Sequence, residues 1–231
     1  MNVNLTLGCK TADNYKIKDY LVVLIDVLRA SSTITAAFEK GVKRIYSVKE
    51  KKEVLKLKSK NKNLILVGER HGIKIKDFDF GNSPVEIYNL DLKDKEIVFN
   101  SSNFSRVLEY YKDSPIIIVG CILNAKAVAN YIKLINAKNN IKVLLVQVGT
   151  AEIFSEEDHL GSKIILQYLR SRKINLSQKE ITYKLINSRN GKYLSSIGYK
   201  KDVEFCSILD KFQVVPIKIR ENYFRITHQS K

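Results

Sequence analysis

The sequence predicts an α/β fold, three-layer α/β/α, around a mixed, largely parallel sheet. Three observations carry this expectation. Short apolar runs recur along the chain, helical segments separate them, and the residues that follow the runs are rich in acids, hydroxyls and amides. Runs that are apolar on both faces and alternate with helices belong to a sheet covered on two sides. A chain of 231 residues can form one α/β domain. No internal repeat and no Gly-, Pro- or Ser-rich linker divides it. The expectation is therefore a single domain over 1–231, in which 171–231 forms a C-terminal helical segment and a closing strand packed on the same domain.

The elements follow in order. Leu21–Asp26 is a short apolar run ending in an acid, and Ser31–Lys40 carries Ala and Phe at helical spacing. Gly41 stands where a helix C-terminus places glycine, and Arg44–Val48 reads as the next strand. Lys49–Lys62 alternates lysines with leucines as an amphipathic surface helix does. Further strands are expected at Leu64–Val67, Glu96–Phe99, Ile116–Val119 and Lys142–Val148. Helices are expected at Ser83–Leu90, Phe104–Tyr111, Asn124–Ala137 and Glu156–Arg170. Shorter segments follow at Lys179–Ser188, Lys192–Ile197 and Val203–Leu209. The last strand is expected at Val214–Ile219, where Pro216 suggests an edge or a bulge.

Composition excludes several classes. Hydrophobic residues are 45% and charged residues 28%, the balance of a globular chain, and 10 Gly with 3 Pro exclude collagen-like sequence. Met1–Tyr20 has no apolar core of signal-peptide length, and no run approaches a membrane span. Cys9, Cys121 and Cys206 are too few and too scattered for a disulfide framework or a Cys-based zinc site. These features together indicate a cytoplasmic protein. The formal net charge is +16. It invites nucleic acid or a small anion as partner, but the lysines lie mostly on helix faces without Arg–aromatic interleaving, which disfavours nucleic acid. A homo-oligomer is left open.

Ligands of open α/β sheets bind beyond the carboxyl ends of the strands, so the post-strand residues are the candidate site. Asp26-Val-Leu-Arg-Ala-Ser-Ser-Thr33 offers a carboxylate for Mg²⁺ or for attack on phosphorus, Arg29 for phosphate oxygens, and the hydroxyls of Ser31, Ser32 and Thr33 near a helix start. An N-cap cluster with a surface salt bridge explains that segment equally well. Gly68–Lys74 brings Glu69, Arg70 and Lys74 into one loop. Phe78–Glu86 contains Asn82, with Ser83 suited to an N-cap, Pro84 to the first helical position and Glu86 to a capping box. Asn100–Ser105 is a hydroxyl- and amide-rich turn, and Gly149–Asp158 ends in Glu156, Glu157 and Asp158 at a helix start. Acids there complement the helix dipole, yet complementary groups at five strand ends favour a shared phosphate and Mg²⁺ site.

These segments resemble the 2-phosphosulfolactate phosphatase family. The resemblance rests on Asp26-Val-Leu-Arg-Ala-Ser-Ser-Thr-Ile, Gly68-Glu-Arg-x-Gly-x-Lys, Phe78-Asp-Phe-Gly-Asn-Ser-Pro-x-Glu86, Asn124-Ala125 and Gly149-Thr150 with Phe154-Ser-x-Glu-Asp158. It continues through Gly191-Lys-Tyr-Leu, Asp202-Val-Glu-Phe-Cys206 and Val214-Val-Pro216, so it spans nearly the whole chain. It implies a Mg²⁺-dependent phosphatase that hydrolyses 2-phosphosulfolactate to 3-sulfolactate and phosphate, a step of coenzyme M biosynthesis. Two departures stand out. Ser101-Ser102-Asn103-Phe104-Ser105 replaces Thr-Thr-Asn-Gly-Thr, and Gln147-Val148 replaces Cys-Ala. Phe104 could alter substrate choice or mark a weakly active relative that binds an acidic metabolite.

The resulting assignment places Asp26, Arg29, Glu69 and Asp158 in catalysis, with Asp26, Glu69 and Asp158 on Mg²⁺. Ser31, Ser32, Thr33, Arg70, Lys74, Asn82, Ser83, Asn103 and Ser105 are assigned to a small anionic phosphorylated substrate. Asp26 is either nucleophile or metal ligand. Leu28, where haloacid-dehalogenase phosphatases carry a second Asp, favours the ligand role and attack by water.

Overall fold

The computed structural model describes residues 1–9, 14–151, 153–218 and 223–226. The chain begins with β1 (Val3–Leu7), β2 (Tyr20–Ile25), α1 (Ala30–Glu39), β3 (Arg44–Ser47) and α2 (Lys51–Lys60). It continues through β4 (Ile65–Arg70), β5 (Ile73–Lys74), α3 (Pro84–Tyr88), β6 (Glu96–Asn100), α4 (Phe104–Tyr110) and β7 (Ile116–Gly120). There follow α5 (Ala125–Asn139), β8 (Lys142–Gln147), α6 (Glu156–Leu169), α7 (Gln178–Asn187), α8 (Arg189–Ser196) and α9 (Lys200–Cys206). Strands β9 (Pro216–Lys218) and β10 (Arg225–Ile226) close the described chain.

The α/β layering and the mixed, largely parallel pairing are as the sequence predicts. The strands, however, divide between two sheets. A six-stranded sheet has the order β1-β8-β2-β7-β9-β10, and a four-stranded sheet has the order β3-β6-β4-β5. The first four strands of the larger sheet are mutually parallel, and β9 and β10 join antiparallel. In the smaller sheet β5 alone runs antiparallel.

Strand β2 shows why the sequence folds this way. All six of its residues are buried. Leu21, Val23 and Ile25 enter one core with α5, α6 and the C-terminal helices, whereas Tyr20, Val22 and Leu24 enter a second core. That second core also takes Ile34 and Phe38 of α1, Phe104 and Val107 of α4, and Ile45, Val67, Ile97 and Phe99 from the smaller sheet. Helix α1 is buried along nearly its whole length, which its small residues allow. It ends on Gly41 at φ +83°, whose N–H donates to Phe38 O at 3.0 Å. A third core joins Val54 of α2 to Leu66, Phe78 and Val98 on the outer face of the smaller sheet. Only Val54 of α2 is buried, so its lysines face solvent as expected.

Three differences from the sequence expectation concern element boundaries. Strand β1 lies within Met1–Tyr20, where no strand was expected, and it pairs with β8 from Val3↔Val143 to Leu7↔Gln147. Helix α3 is shorter than Ser83–Leu90. Ser83 Oγ accepts from Glu86 N at 3.1 Å, but Glu86 turns to Gly81 N instead of completing a capping box on Ser83. The closing strand is not an edge, since β9 lies between β7 and β10. Pro216 is accommodated as the first residue of that strand, where its missing N–H does least harm. Ile219, the last residue of the expected strand, lies outside the described residues.

Candidate active site

The carboxyl ends of β2 and β8 from the larger sheet meet those of β4 and β6 from the smaller one around a cavity of about 260 Å³. The β2 end contributes Asp26 and Arg29, the β4 end Glu69, the β6 end Ser101, Ser102 and Asn103, and the β8 side Glu157 and Asp158. Asn190, Tyr193 and Leu194 of α8 complete the wall. Gly161 allows α6 to approach the loop after β2, because a Cβ there would lie 2.8 Å from Val27 Cγ2.

Each acid is held differently. Asp158 is pinned by two backbone donors, Val27 N to Oδ1 at 2.8 Å and Gly149 N to Oδ2 at 2.9 Å. Gly149 has φ +69°, and a Cβ there would lie 2.5 Å from Ile153 O, so glycine is required at that turn. Glu69 ties two loops together, with Ser102 N on Oε1 and Gly72 N on Oε2, both at 2.8 Å. Asp26 accepts from Ala30 N through Oδ1 at 3.2 Å, and Glu157 accepts from Asn190 Nδ2 through Oε1 at 2.5 Å. Ser155, which precedes α6, makes no side-chain cap bond and accepts from Asn190 at 3.3 Å.

Burial pushes the Asp26 carboxyl up to about 7, and the charges of Glu69 and Glu157 act in the same direction, against the Ala30 N–H and Arg29. Asp158 is raised by burial and by the charges of Asp26 and Glu157, against the N–H groups of Val27 and Gly149. The sign for stability follows from proton linkage. The folded state binds a proton on Asp26 that the unfolded chain has already lost, so folding is favoured below the ordinary value of 3.8 and loses that advantage as pH rises to about 7. Thermal unfolding in EDTA should therefore show a melting temperature that falls across this window. The Asp26→Asn protein should show a flatter profile, and parallel profiles would refute the assignment.

Arg29 is held by α9, by the residue preceding that helix and by the turn after β4. Its Nη1 donates to Asp202 Oδ2 at 2.7 Å, its Nη2 to Gly72 O at 2.6 Å, and its guanidinium carbon lies 4.1 Å from the Tyr199 ring centre. Asp202 also accepts from Ser83 Oγ at 2.6 Å. Arg29 thus reaches the cavity as a guanidinium whose charge is already paired.

Of the residues singled out in the sequence, Asp26, Arg29, Glu69, Asn82, Asn103 and Asp158 line one cavity. The others do not line it. Ser31 Oγ bonds Asp26 N and Leu24 O and Ser32 Oγ donates to Val27 O, so these two hydroxyls shape the loop, whereas Thr33 is buried in α1 with no partner for its Oγ1 among the described residues. Ser83 serves as the cap of α3 and holds Asp202, and Ser105 Oγ pairs with Ser47 Oγ at 3.0 Å. Arg70 bonds Glu69 O and Asn100 Oδ1, and Lys74 is exposed on β5. Arg29, Arg70 and Lys74 are therefore not gathered on the cavity wall, because Arg70 is held on Glu69 O and Asn100 Oδ1 and the β4–β5 hairpin leaves Lys74 exposed.

Sequence reasoning left Glu157 out of the assigned site, although its place in the first turn of α6 was a visible signal. Ser101 and Ser102 lay in the hydroxyl-rich turn already singled out after β6, whereas Asn190 carried no signal beyond being polar. Phe104, read in the sequence as able to alter substrate choice or mark a weakly active relative, is fully buried in the second core, edge-on to Phe99 at 6.3 Å and tilted against Phe224 at 6.2 Å. Its side chain does not line the cavity. Phe104→Leu should cost about 1–2 kcal/mol in urea unfolding and leave activity per folded molecule within twofold. A rate change beyond tenfold with the fold retained would contradict this placement.

Strand-end carboxylates gathered with buried amides and hydroxyls around one small cavity define an α/β enzyme that works on a small ligand. The match to known proteins is specific. A family model described as 2-phosphosulpholactate phosphatase matches residues 9–221, and the chain belongs to that family. It is 39% identical over 211 residues to a probable 2-phosphosulfolactate phosphatase of Carboxydothermus hydrogenoformans, covering 86% of each chain. A protein of the same name from Caldanaerobacter subterraneus subsp. tengcongensis is 36% identical over 217 residues, covering 87% of this chain and 88% of the relative. A third, from Clostridium acetobutylicum, is 32% identical over 231 residues, covering 94% and 97%. Among the described residues no helix is long and apolar enough to cross a membrane.

Proposed function

We propose that the protein is a phosphoric monoester hydrolase that converts 2-phosphosulfolactate to 3-sulfolactate and phosphate with Mg²⁺ as cofactor. The observation that carries this reading is the charge imbalance of the cavity. Asp26, Glu69, Glu157 and Asp158 line it, while Arg29 is already neutralised by Asp202. A substrate bearing phosphate, sulfonate and carboxylate would be repelled by that wall. A divalent cation held by these carboxylates would offset that repulsion.

The donor set fits Mg²⁺, a hard cation that takes oxygen ligands. Asp26 and Glu157 each engage one oxygen with a protein donor among the described residues, so they are the proposed ligands, with Asp158 beside them. Among the described residues no three acid, His or Cys side chains form a closed metal cluster. Mg²⁺ characteristically uses one or two carboxylates and completes its shell with water and substrate phosphate. When bound it supplies charge neutralisation on the phosphoryl oxygens.

The chain's own groups do the rest. Asp158, held by Val27 N and Gly149 N, fixes a carboxyl group beside Asp26. Asn103 accepts from Ala151 N at 3.0 Å through Oδ1, which leaves its N–H₂ for a substrate oxygen. Arg29 offers a fixed guanidinium at the cavity, positioned by Asp202 and Tyr199. Attack by water fits this arrangement better than attack by Asp26, whose buried carboxylate sits among other acids. Phosphate release from 2-phosphosulfolactate and other small phosphorylated acids, with Mg²⁺ and with EDTA, tests the proposal. Metal-dependent release that favours 2-phosphosulfolactate is expected, and no release from any of them would overturn it.

A further inference from the structure

Helix α8 is bonded to both sides of the cavity. On one side Asn190 Nδ2 donates to Thr150 Oγ1 at 2.9 Å and to Glu157 Oε1 at 2.5 Å, in the loop after β8 and the first turn of α6. On the other side Tyr193 Oη donates to His71 O at 2.9 Å, in the turn between β4 and β5. The two residues are three apart, so they share one face of the helix. Both line the cavity.

Both ends of this bridge are anchored. The turn that α8 meets also holds the charged groups of the site, since Gly72 N donates to Glu69 Oε2 at 2.8 Å and Gly72 O accepts from Arg29 Nη2 at 2.6 Å. Tyr193 and Leu194 pack on that turn, where a Cβ on Gly72 would lie 3.5 Å from Tyr193 Cε1 and 3.4 Å from Leu194 Cδ2. Behind the cavity, α8 rests on the end of α7 so closely that a Cβ on Gly191 would lie 1.8 Å from Leu185 O. Ser188 Oγ joins the two helices, donating to Leu185 O at 2.9 Å and accepting from Gly191 N at 3.0 Å. The aromatic wall is therefore preset. The cavity it bounds is about 260 Å³, smaller than the roughly 300–1,000 Å³ of pockets that enclose drug-sized ligands.

We propose that Tyr193 is a specificity-determining residue, whose ring, packed on the His71–Gly72 turn, limits the organic part of the ligand to a short aliphatic chain and rejects one that carries a ring. The inference rests on the proposed phosphate-ester chemistry for the class of ligand. It gives α8 a task that the acids at the strand ends do not perform, since those acids select for the charged group and not for what is attached to it. Tyr193 is 45% exposed. Truncating it opens the cavity toward solvent without leaving a void in a core.

Calorimetric titration of the full chain with methylphosphonate and with phenylphosphonate, in the presence of Mg²⁺, tests this. Neither ligand has an ester bond to hydrolyse, so binding is read without turnover. The wild type should bind methylphosphonate at least about tenfold more tightly than phenylphosphonate. Tyr193→Ala should reduce that preference to below about twofold by gaining affinity for phenylphosphonate, whereas Tyr193→Phe, which keeps the ring, should retain it. A Tyr193→Ala protein that keeps the wild-type preference or loses both ligands would overturn the proposal. So would a Tyr193→Phe protein that matches the alanine variant, or a wild type that does not discriminate. Phosphate release from 2-phosphosulfolactate, measured on the same samples, reports separately on the reaction. A size preference that alanine removes, with no turnover by the wild type, would overturn the hydrolysis and support the role of Tyr193. Turnover by a wild type without size preference would overturn the role of Tyr193 alone.

Discussion

Asp26→Asn should lower phosphate release from 2-phosphosulfolactate by about a thousandfold, equivalent to about 4 kcal/mol of transition-state stabilisation. The substitution keeps the shape of the side chain and its bond from Ala30 N, so the fold should persist. What disappears is the charge that the account places on the cation. The same change removes a carboxylate whose ionisation is opposed by burial and by Glu69 and Glu157. The variant should therefore melt higher than the wild type in EDTA at pH 8, while being nearly inactive with Mg²⁺. A protein that melts lower and keeps more than a tenth of wild-type turnover would show that Asp26 is a structural acid. Stability and activity moving in opposite directions is the signature expected of a site built from mutually repelling groups.

Arg29→Met carries the largest expected effect on stability. Arg29 and Asp202 are 2% and 3% exposed at their side chains, and they pair at 2.7 Å. Removing one partner of a buried pair leaves the other charge without compensation, at a cost of about 3–5 kcal/mol. Urea unfolding should show this loss in the single variant. Combining Arg29→Met with Asp202→Leu should recover part of it, because an apolar pair of similar volume carries no stranded charge. A single variant within about 1 kcal/mol of wild type would mean that the pair is not what fastens α9 over the strand ends. Activity should fall in both proteins, since the guanidinium on the cavity wall is lost.

The features legible in the sequence were local ones. The run Leu21–Ile25 is so uniformly apolar that burial on both faces was the natural reading, and all of it is buried. The acids and amides after the strands were visible because a parallel strand ends where its apolar run ends. The short β1 was passed over although Asn4 and Thr6 alternate with Val3, Leu5 and Leu7, the pattern of a half-buried strand. The division into two sheets depends on which strand pairs with which, such as Arg44↔Glu96, and no local pattern encodes that choice.

The site divides in the same way. Asp26, Glu69 and Asp158 declared themselves by position, and the cavity unites them. The role of Arg29 did not, because its partner Asp202 lies 173 residues away. Lone arginines and lysines near strand ends read alike in sequence, yet a two-residue hairpin strand, Ile73–Lys74, carries Lys74 to the surface. Partnerless hydroxyls such as Ser101 Oγ are recognisable only once every other partner in the fold has been assigned.

The central claim is that an acidic cavity binds an anion through a divalent cation, and equilibrium binding of inorganic phosphate tests it most directly. Titration of the wild-type protein with phosphate should give saturable binding with Mg²⁺ present and none in EDTA, with Asp26→Asn losing the Mg²⁺-dependent binding. Equal phosphate affinity with Mg²⁺ and with EDTA would contradict the account.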